Sequence, residues 1–276
     1  FIAVADGKIT ALGPMNEYLD EDYRDFSKIN CGNGYKRQLI LPGFIQTHVH
    51  TSQALARGLA DDIDLQTWTR ERIWPYEVAL NSEDVYVSSM LSIAEMLKSG
   101  TTMFCEAAGQ EPDSIGEAII DSGIKGIISP STMDIPGQFP DEMHLPTSKA
   151  IETNILLYEK WKNKNDRVRV CFNLLNLFNT SETIWKELHE YSLKNEVLVQ
   201  AHIAESISEV YFTKEKYGFT PLRLVDSWGC LSPYLLAAHM VHLDEEEINL
   251  VKLNNVQILH LPAADLRIAG FAPIPR

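Results

Sequence analysis

The chain has 276 residues and carries 24 Lys and Arg against 38 Asp and Glu, a formal net charge of −14. Nucleic-acid surfaces need clustered cations, so this balance argues against one, and no apolar run approaches the roughly 20 residues of a membrane span. An apolar content of 45% is that of a soluble globule, in a chain long enough for one large α/β domain.

Residues 1–13 read as two short strands around Asp6-Gly7, a hairpin signal. A polar stretch over 16–38 leads into the first long apolar strand, which starts at Leu39 and closes on His48-Val49-His50. The helical pattern over 82–99 places Val85, Met90, Ile93, Met96 and Leu97 near a 3.6 period, with Ser82 as N-cap and Gly100 beyond its end. Further strands are predicted at 101–106, 126–131, 168–175, 197–205, 235–243 and 256–261. Helices are predicted at 114–122, 147–162, 181–195, 221–228 and 245–253. Repeated strand–helix units imply a parallel sheet, because parallel neighbours need a crossover. The phosphate-binding Gly-x-Gly-x-x-Gly of an open doubly wound sheet is absent. A (β/α)8 barrel of the TIM type, with seven strands present, explains the chemistry better, since such barrels build their sites at the C-terminal strand ends.

Three polar motifs close apolar runs: His48-Val49-His50, His202-Ile203-Ala204-Glu205 and Ala238-His239. Residues two apart on a strand point the same way, so His48 and His50 can reach one metal ion. Alone, a His-x-His is more often an ordinary strand segment. Three such strand ends with a carboxylate are harder to explain as packing, and neutral imidazoles beside an acid suit a hydrolytic zinc or iron site. Glu205 lies three past His202, the wrong parity for a regular strand, so it reaches the same place only where the chain has already turned. By the same parity His239 and His242 face opposite ways, and only His239 takes a role. Cys31, Cys105, Cys171 and Cys230 are scattered; Cys105 and Cys171 lie in apolar runs and read as buried thiols of a reducing, cytoplasmic compartment. Glu106 ends the second strand and reads as a supporting group. His144 and His189 read as solvated, and His260 as a structural hydrogen-bonding residue.

The run from Leu41 to His50 resembles the first barrel strand of the amidohydrolase superfamily. Arg57-Gly58, Trp68, Trp74-Pro75-Tyr76-Glu77, Ser99-Gly100-Thr101-Thr102, Ala201–Glu205 and Ala238–Leu243 resemble its S-adenosylhomocysteine/methylthioadenosine deaminase and atrazine/melamine hydrolase branch. The resemblance implies a partial β-sandwich segment over 1–38 and a metal-dependent hydrolase barrel over 39–276. It implies one divalent metal, zinc or alternatively iron, on His48, His50 and His202. Glu205 then shuttles protons, and His239 orients the attacking water or polarises the substrate. Glu77, similar to a ribose-hydroxyl contact, and Trp68 face a small-molecule substrate. Deamination of an amino-substituted heteroaromatic ring, such as an adenosine-type nucleoside, is the implied activity. A triazine hydrolase or a guanine deaminase is the alternative, and the partner implied is a second copy of the chain, with no nucleic acid or membrane.

Departures accompany the matches. The family's seventh strand ends in Asn-Pro followed by Ser-Asn, where this chain reads Leu261-Pro262-Ala263-Ala264-Asp265, and Asn173-Leu174-Leu175-Asn176 lacks a His that nucleoside deaminases often carry. Against the family pattern an eighth strand with a metal-binding Asp is still to come at Arg276. The expectation is therefore a 276-residue chain that is inactive or nearly so as an isolated monomer and prone to associate, and a native mass well above 31.2 kDa would mean that the eighth strand and its Asp exist. The non-enzyme reading is a truncated homologue that associates with full-length subunits.

Overall fold

A computed structural model describes every residue except 34, 35, 38, 60–62, 138, 269 and 274–276. It divides into two compact units, Phe1–Pro42 and Gly43–Arg276. In the first, β1 (Ile2–Ala5) and β2 (Lys8–Leu12) pair antiparallel. Asp6 and Gly7 both take left-handed backbone, φ 51° and 72°, the two-residue turn whose twist matches that of the flanking strands. A second antiparallel pair joins β3 (Gly32–Asn33) to β4 (Lys36–Arg37). The rings of Phe1, Tyr18 and Tyr23 gather at centroid distances of 5.4 Å, giving this small unit an aromatic cluster.

The second unit alternates strands and helices. Its strands are β5 (Phe44–Val49), β6 (Thr101–Glu106), β7 (Lys125–Ile128), β8 (Val168–Val170), β9 (Phe172–Asn176), β10 (Val199–Ile203), β11 (Leu235–His239) and β12 (Gln257–Leu259). Its helices are α1 (Leu65–Trp68), α2 (Trp74–Ala79), α3 (Ser82–Lys98), α4 (Pro112–Ser122), α5 (Thr147–Trp161), α6 (Glu182–Asn195), α7 (Ile207–Tyr217), α8 (Pro221–Ser227), α9 (Glu245–Asn254) and α10 (Pro262–Ile268). Two parallel ladders, β5-β6-β7-β8 and β9-β10-β11-β12, follow chain order with no reversal. Only Cys171 separates β8 from β9. Its N–H donates to Ile128 O at 3.0 Å on one side, and the Phe172 N–H donates to Leu198 O at 2.8 Å on the other. Residues 168–176 are therefore one strand that passes from the first ladder to the second. The His48 ring on the first strand lies 5.4 Å from the His239 ring on the sixth. A curled, TIM-barrel type α/β sheet brings such distant strands together; an open sheet in this order does not.

Alternation sorts the side chains. Val199, Ala201 and Ile203 of β10 join Phe172, Leu174, Trp185 and Leu188 in an outer core beneath the helices. Gln200 and His202 take the other face. A matching outer core holds Phe104, Ile115, Ile119, Ile128 and Trp161, and each fully buried Phe or Ile contributes about 1.5–3 kcal/mol. Gly116 is required there, since a Cβ would sit 2.6 Å from the Trp161 ring. Cys105, Ile127 and Cys171 form a separate small cluster with Met103, Leu198 and Leu236.

Four local expectations need correction. The first strand begins at Phe44, not Leu39: Pro42 has no ladder donor, pairing starts with the Phe44 N–H on Gly100 O, and Leu39, Ile40 and Leu41 are exposed. The N-cap of α3 is Asn81 rather than Ser82, in a capping box with Asp84. Helices α1, α2, α7 and α10 stand outside the predicted set; α10 is a seven-residue segment, too short for periodicity to register. His144 and His189 are half-buried rather than solvated, His144 with Nε2 3.3 Å from Asp134 O. Among the described residues no helix is long and apolar enough to cross a membrane.

Candidate metal centre and active site

His48 and His50 leave the end of β5 on the same side, and His202 leaves β10 toward them. One ligand atom from each falls within 4.8 Å of the others, and His50 Nε2 lies 3.4 Å from His202 Nε2. Two of the rings are tied from behind. His202 Nδ1 is 2.8 Å from the Leu175 carbonyl, and the His50 ring donates to the Ala107 backbone. An Nδ1–H given to a carbonyl leaves the His202 Nε2 lone pair free to face the centre. His48 Nδ1 is buried without a hydrogen-bond partner among the described residues, a costly state for a polar atom unless a ligand completes it. Burial, reinforced by the neighbouring rings, holds His50 and His202 at about 3 and His48 well below its ordinary value. All three are thus neutral at neutral pH, as metal ligands must be. The donor set fits a divalent zinc-type ion.

The acid and the fourth histidine reach this centre by a different device. β10 ends at Ile203, Ala204 takes φ 54°, and Glu205 then swings to the same side as His202. At the end of β11, His239 and Met240 take φ 73° and 54°. Each left-handed non-glycine residue costs on the order of 1–3 kcal/mol, so the surrounding packing must hold them there. Glu205 Oε1 stands 3.5 Å from His239 Nε2. Burial pushes the Glu205 carboxyl up, countered in part by His239. Burial pulls His239 down, but Glu205 and Asp265 outweigh it and set the ring above its ordinary value. The pair is thus a buried carboxyl facing a ring whose hold on a proton is strengthened.

A cavity of about 1030 Å³ opens over these residues, lined also by Trp68, Trp74 and Glu77, a size suited to a ligand of nucleoside dimensions. Glu77 is buried, accepts from Gln53 Nε2 at 2.9 Å, and is pushed up to about 7 by burial. Glu106 accepts from the Thr51 N–H at 3.0 Å and from the Thr51 hydroxyl, so it anchors the turn directly after His50; burial takes it to about 8. His260 is exposed and lines the mouth, and His242 packs edge-on to Phe271. Two residues to which the sequence assigned no role belong to this region. Glu209 Oε2 accepts the Glu205 N–H at 3.1 Å, and its spacing of four from Glu205 at a helix start was the available signal. Asp265 Oδ1 lies 2.7 Å from His239 Nδ1, a contact across 26 positions that no local pattern announces.

Residues 39–273 match the sequence model of the amidohydrolase family. A 5'-deoxyadenosine deaminase of Methanobrevibacter smithii is 34% identical over 275 residues, which is 99% of this chain and 60% of that protein. A 5-methylthioadenosine/S-adenosylhomocysteine deaminase of Syntrophobacter fumaroxidans is 31% identical over 276 residues, 100% of this chain and 60% of that one. The chain therefore spans about 60% of the length of these curated relatives. Among solved structures, an adenosine deaminase from Xanthomonas campestris with bound zinc superposes with a TM-score of 0.77 at 25% identity, over 84% of this chain and 52% of that one.

Proposed function

Because the chain belongs to the amidohydrolase family, we propose that it serves a metal-dependent hydrolytic deaminase acting on the amino-substituted ring of an adenosine-type nucleoside. The observation that carries this reading is one cavity joining three neutral histidines to the Glu205–His239 pair. The deaminase names of the two relatives favour adenosine-type substrates, and the zinc of the Xanthomonas protein favours zinc over iron.

His48, His50 and His202 hold the metal, which when bound supplies the Lewis acidity that lets a water ionise near neutral pH. Glu205 takes a proton from the attacking water and delivers it to the departing amino group, which leaves only as ammonia. His239, through Nε2, hydrogen-bonds at the reacting side and keeps Glu205 aligned. Trp68 and Glu77 on the cavity wall orient the ring and its hydroxyl-bearing substituent. Glu77, near its midpoint of ionisation at neutral pH, either donates or accepts there. The free thiols of the chain, three of them buried, support a reducing, cytoplasmic setting.

The test is ammonia release from 5'-deoxyadenosine, methylthioadenosine and adenosine by zinc-loaded protein, before and after chelation. Metal-dependent release from at least one of them is expected. Release that survives complete removal of metal would contradict the reading.

A further inference from the structure

Asp265 has no part in the scheme above, yet it is among the most enclosed acids of the molecule. It is 1% exposed, with Oδ1 2.7 Å from His239 Nδ1 and Oδ2 buried without a partner among the described residues. Its backbone N–H donates to Leu261 O at 2.9 Å inside α10, so the carboxylate is fixed by helix geometry and not by a loose loop. The segment that carries it, Leu261-Pro262-Ala263-Ala264-Asp265, is where the chain departs from the Asn-Pro and Ser-Asn pattern of the family it resembles.

We propose that Asp265 is a positioning residue that holds His239 with Nδ1 protonated and Nε2 turned toward Glu205 and the reacting centre. The proposal rests on the deaminase reading for what His239 does, but on geometry alone for how the ring is held. A carboxylate oxygen accepts, so the ring atom 2.7 Å from it donates as an N–H. The other ring nitrogen is then the one offered to Glu205, 3.5 Å away. His239 needs such a hold because its own backbone is left-handed, φ 73°, and is followed by Met240 at φ 54°: the chain there gives the ring no regular strand to stand on. With a carboxylate at each nitrogen the ring presents an N–H to both, and without Asp265 no acceptor at Nδ1 fixes which way the ring turns toward Glu205. The two carboxylates, one on each nitrogen, thus have separate tasks: Asp265 orients and Glu205 reacts.

The experiment pairs ring spectra with kinetics in Asp265→Leu, which keeps the side chain's volume and removes the acceptor; Asp265→Ala serves the same arm where Leu does not fold. Long-range ¹H–¹⁵N spectra of histidine-labelled, zinc-loaded protein, with His239→Gln identifying the resonance, read the protonation of each ring nitrogen. In the parent, Nδ1 of His239 stays protonated. In the variant it loses that preference, and kcat for ammonia release falls about 10–100-fold, with KM within about twofold and zinc per chain unchanged. A variant ring identical to the parent's overturns the proposal, and so does a changed ring with unchanged kcat. If the parent itself releases no ammonia, the deaminase reading falls and the ring spectra alone decide for or against Asp265.

Discussion

The site is built from two kinds of backbone. His48 and His202 lie within β5 and β10, and His50 follows β5 directly at φ −104° and ψ 87°, so none of the three clustered histidines stands on left-handed chain. Glu205 and His239 stand on left-handed chain or directly after it. The difference matches the two tasks proposed for them. Holding an ion needs several neutral donors at fixed spacing, and the two-residue repeat of a strand supplies that at no conformational cost. Moving a proton needs a carboxylate and an imidazole aimed at one another from different strands. The regular repeat points Glu205 away, and only a strained turn brings it back. The strained half is held by buried neighbours, Glu209 on the Glu205 backbone and Asp265 on the His239 ring.

Breaking the strand-borne half has the largest expected effect. His202→Ala removes a donor whose Nδ1 is already tied to Leu175, and ammonia release falls to background because the ion is lost. Retention of full turnover in that variant would break the assignment. Next comes Glu205→Gln, which keeps shape and removes the proton carrier. Turnover falls roughly 10²–10⁴-fold, read as ammonia released per mole of zinc-containing protein. A smaller effect comes from the turn itself. Ala204→Val places a β-branched residue at φ 54° and at full burial, and lowers stability by about 1–3 kcal/mol in urea denaturation. Unchanged stability would show that the turn is not strained.

The same comparison was visible in what the sequence did and did not reveal. His48-Val49-His50 and the Asp6-Gly7 hairpin were legible because their geometry is local, set by a period of two and by a turn type. The turn at Ala204 was legible only as a violation: Glu205 had the wrong parity, so the strand had to end. The contact of Asp265 with His239 was not legible, since its partner is 26 positions away and its helix is seven residues long. The passage of 168–176 from one ladder to the next shows in the sequence as one uninterrupted strand, and the pairing of its two edges is a tertiary fact.

Support beneath the strand-borne half comes from Glu106, which accepts from the Thr51 N–H. Glu106 has a folded-state value of about 8, above the ordinary carboxylate value it regains on unfolding. A raised folded value means that its contribution is complete below the unfolded value and is lost as pH rises toward the folded one. Glu106→Gln cannot ionise, so its stability relative to the parent should improve between about pH 5 and about pH 8. Urea midpoints at both pH values measure this. A gap that stays constant would mean that Glu106 ionises in the folded protein as it does in water.

The division of labour is tested most directly by zinc per chain, measured by elemental analysis on parent, His202→Ala and Glu205→Gln prepared side by side. The strand-borne histidine should be indispensable to metal and the turned carboxylate dispensable, so His202→Ala loses zinc while Glu205→Gln matches the parent. Equal zinc in the His202→Ala variant, or loss of zinc in Glu205→Gln, would contradict the separation of holding from reacting.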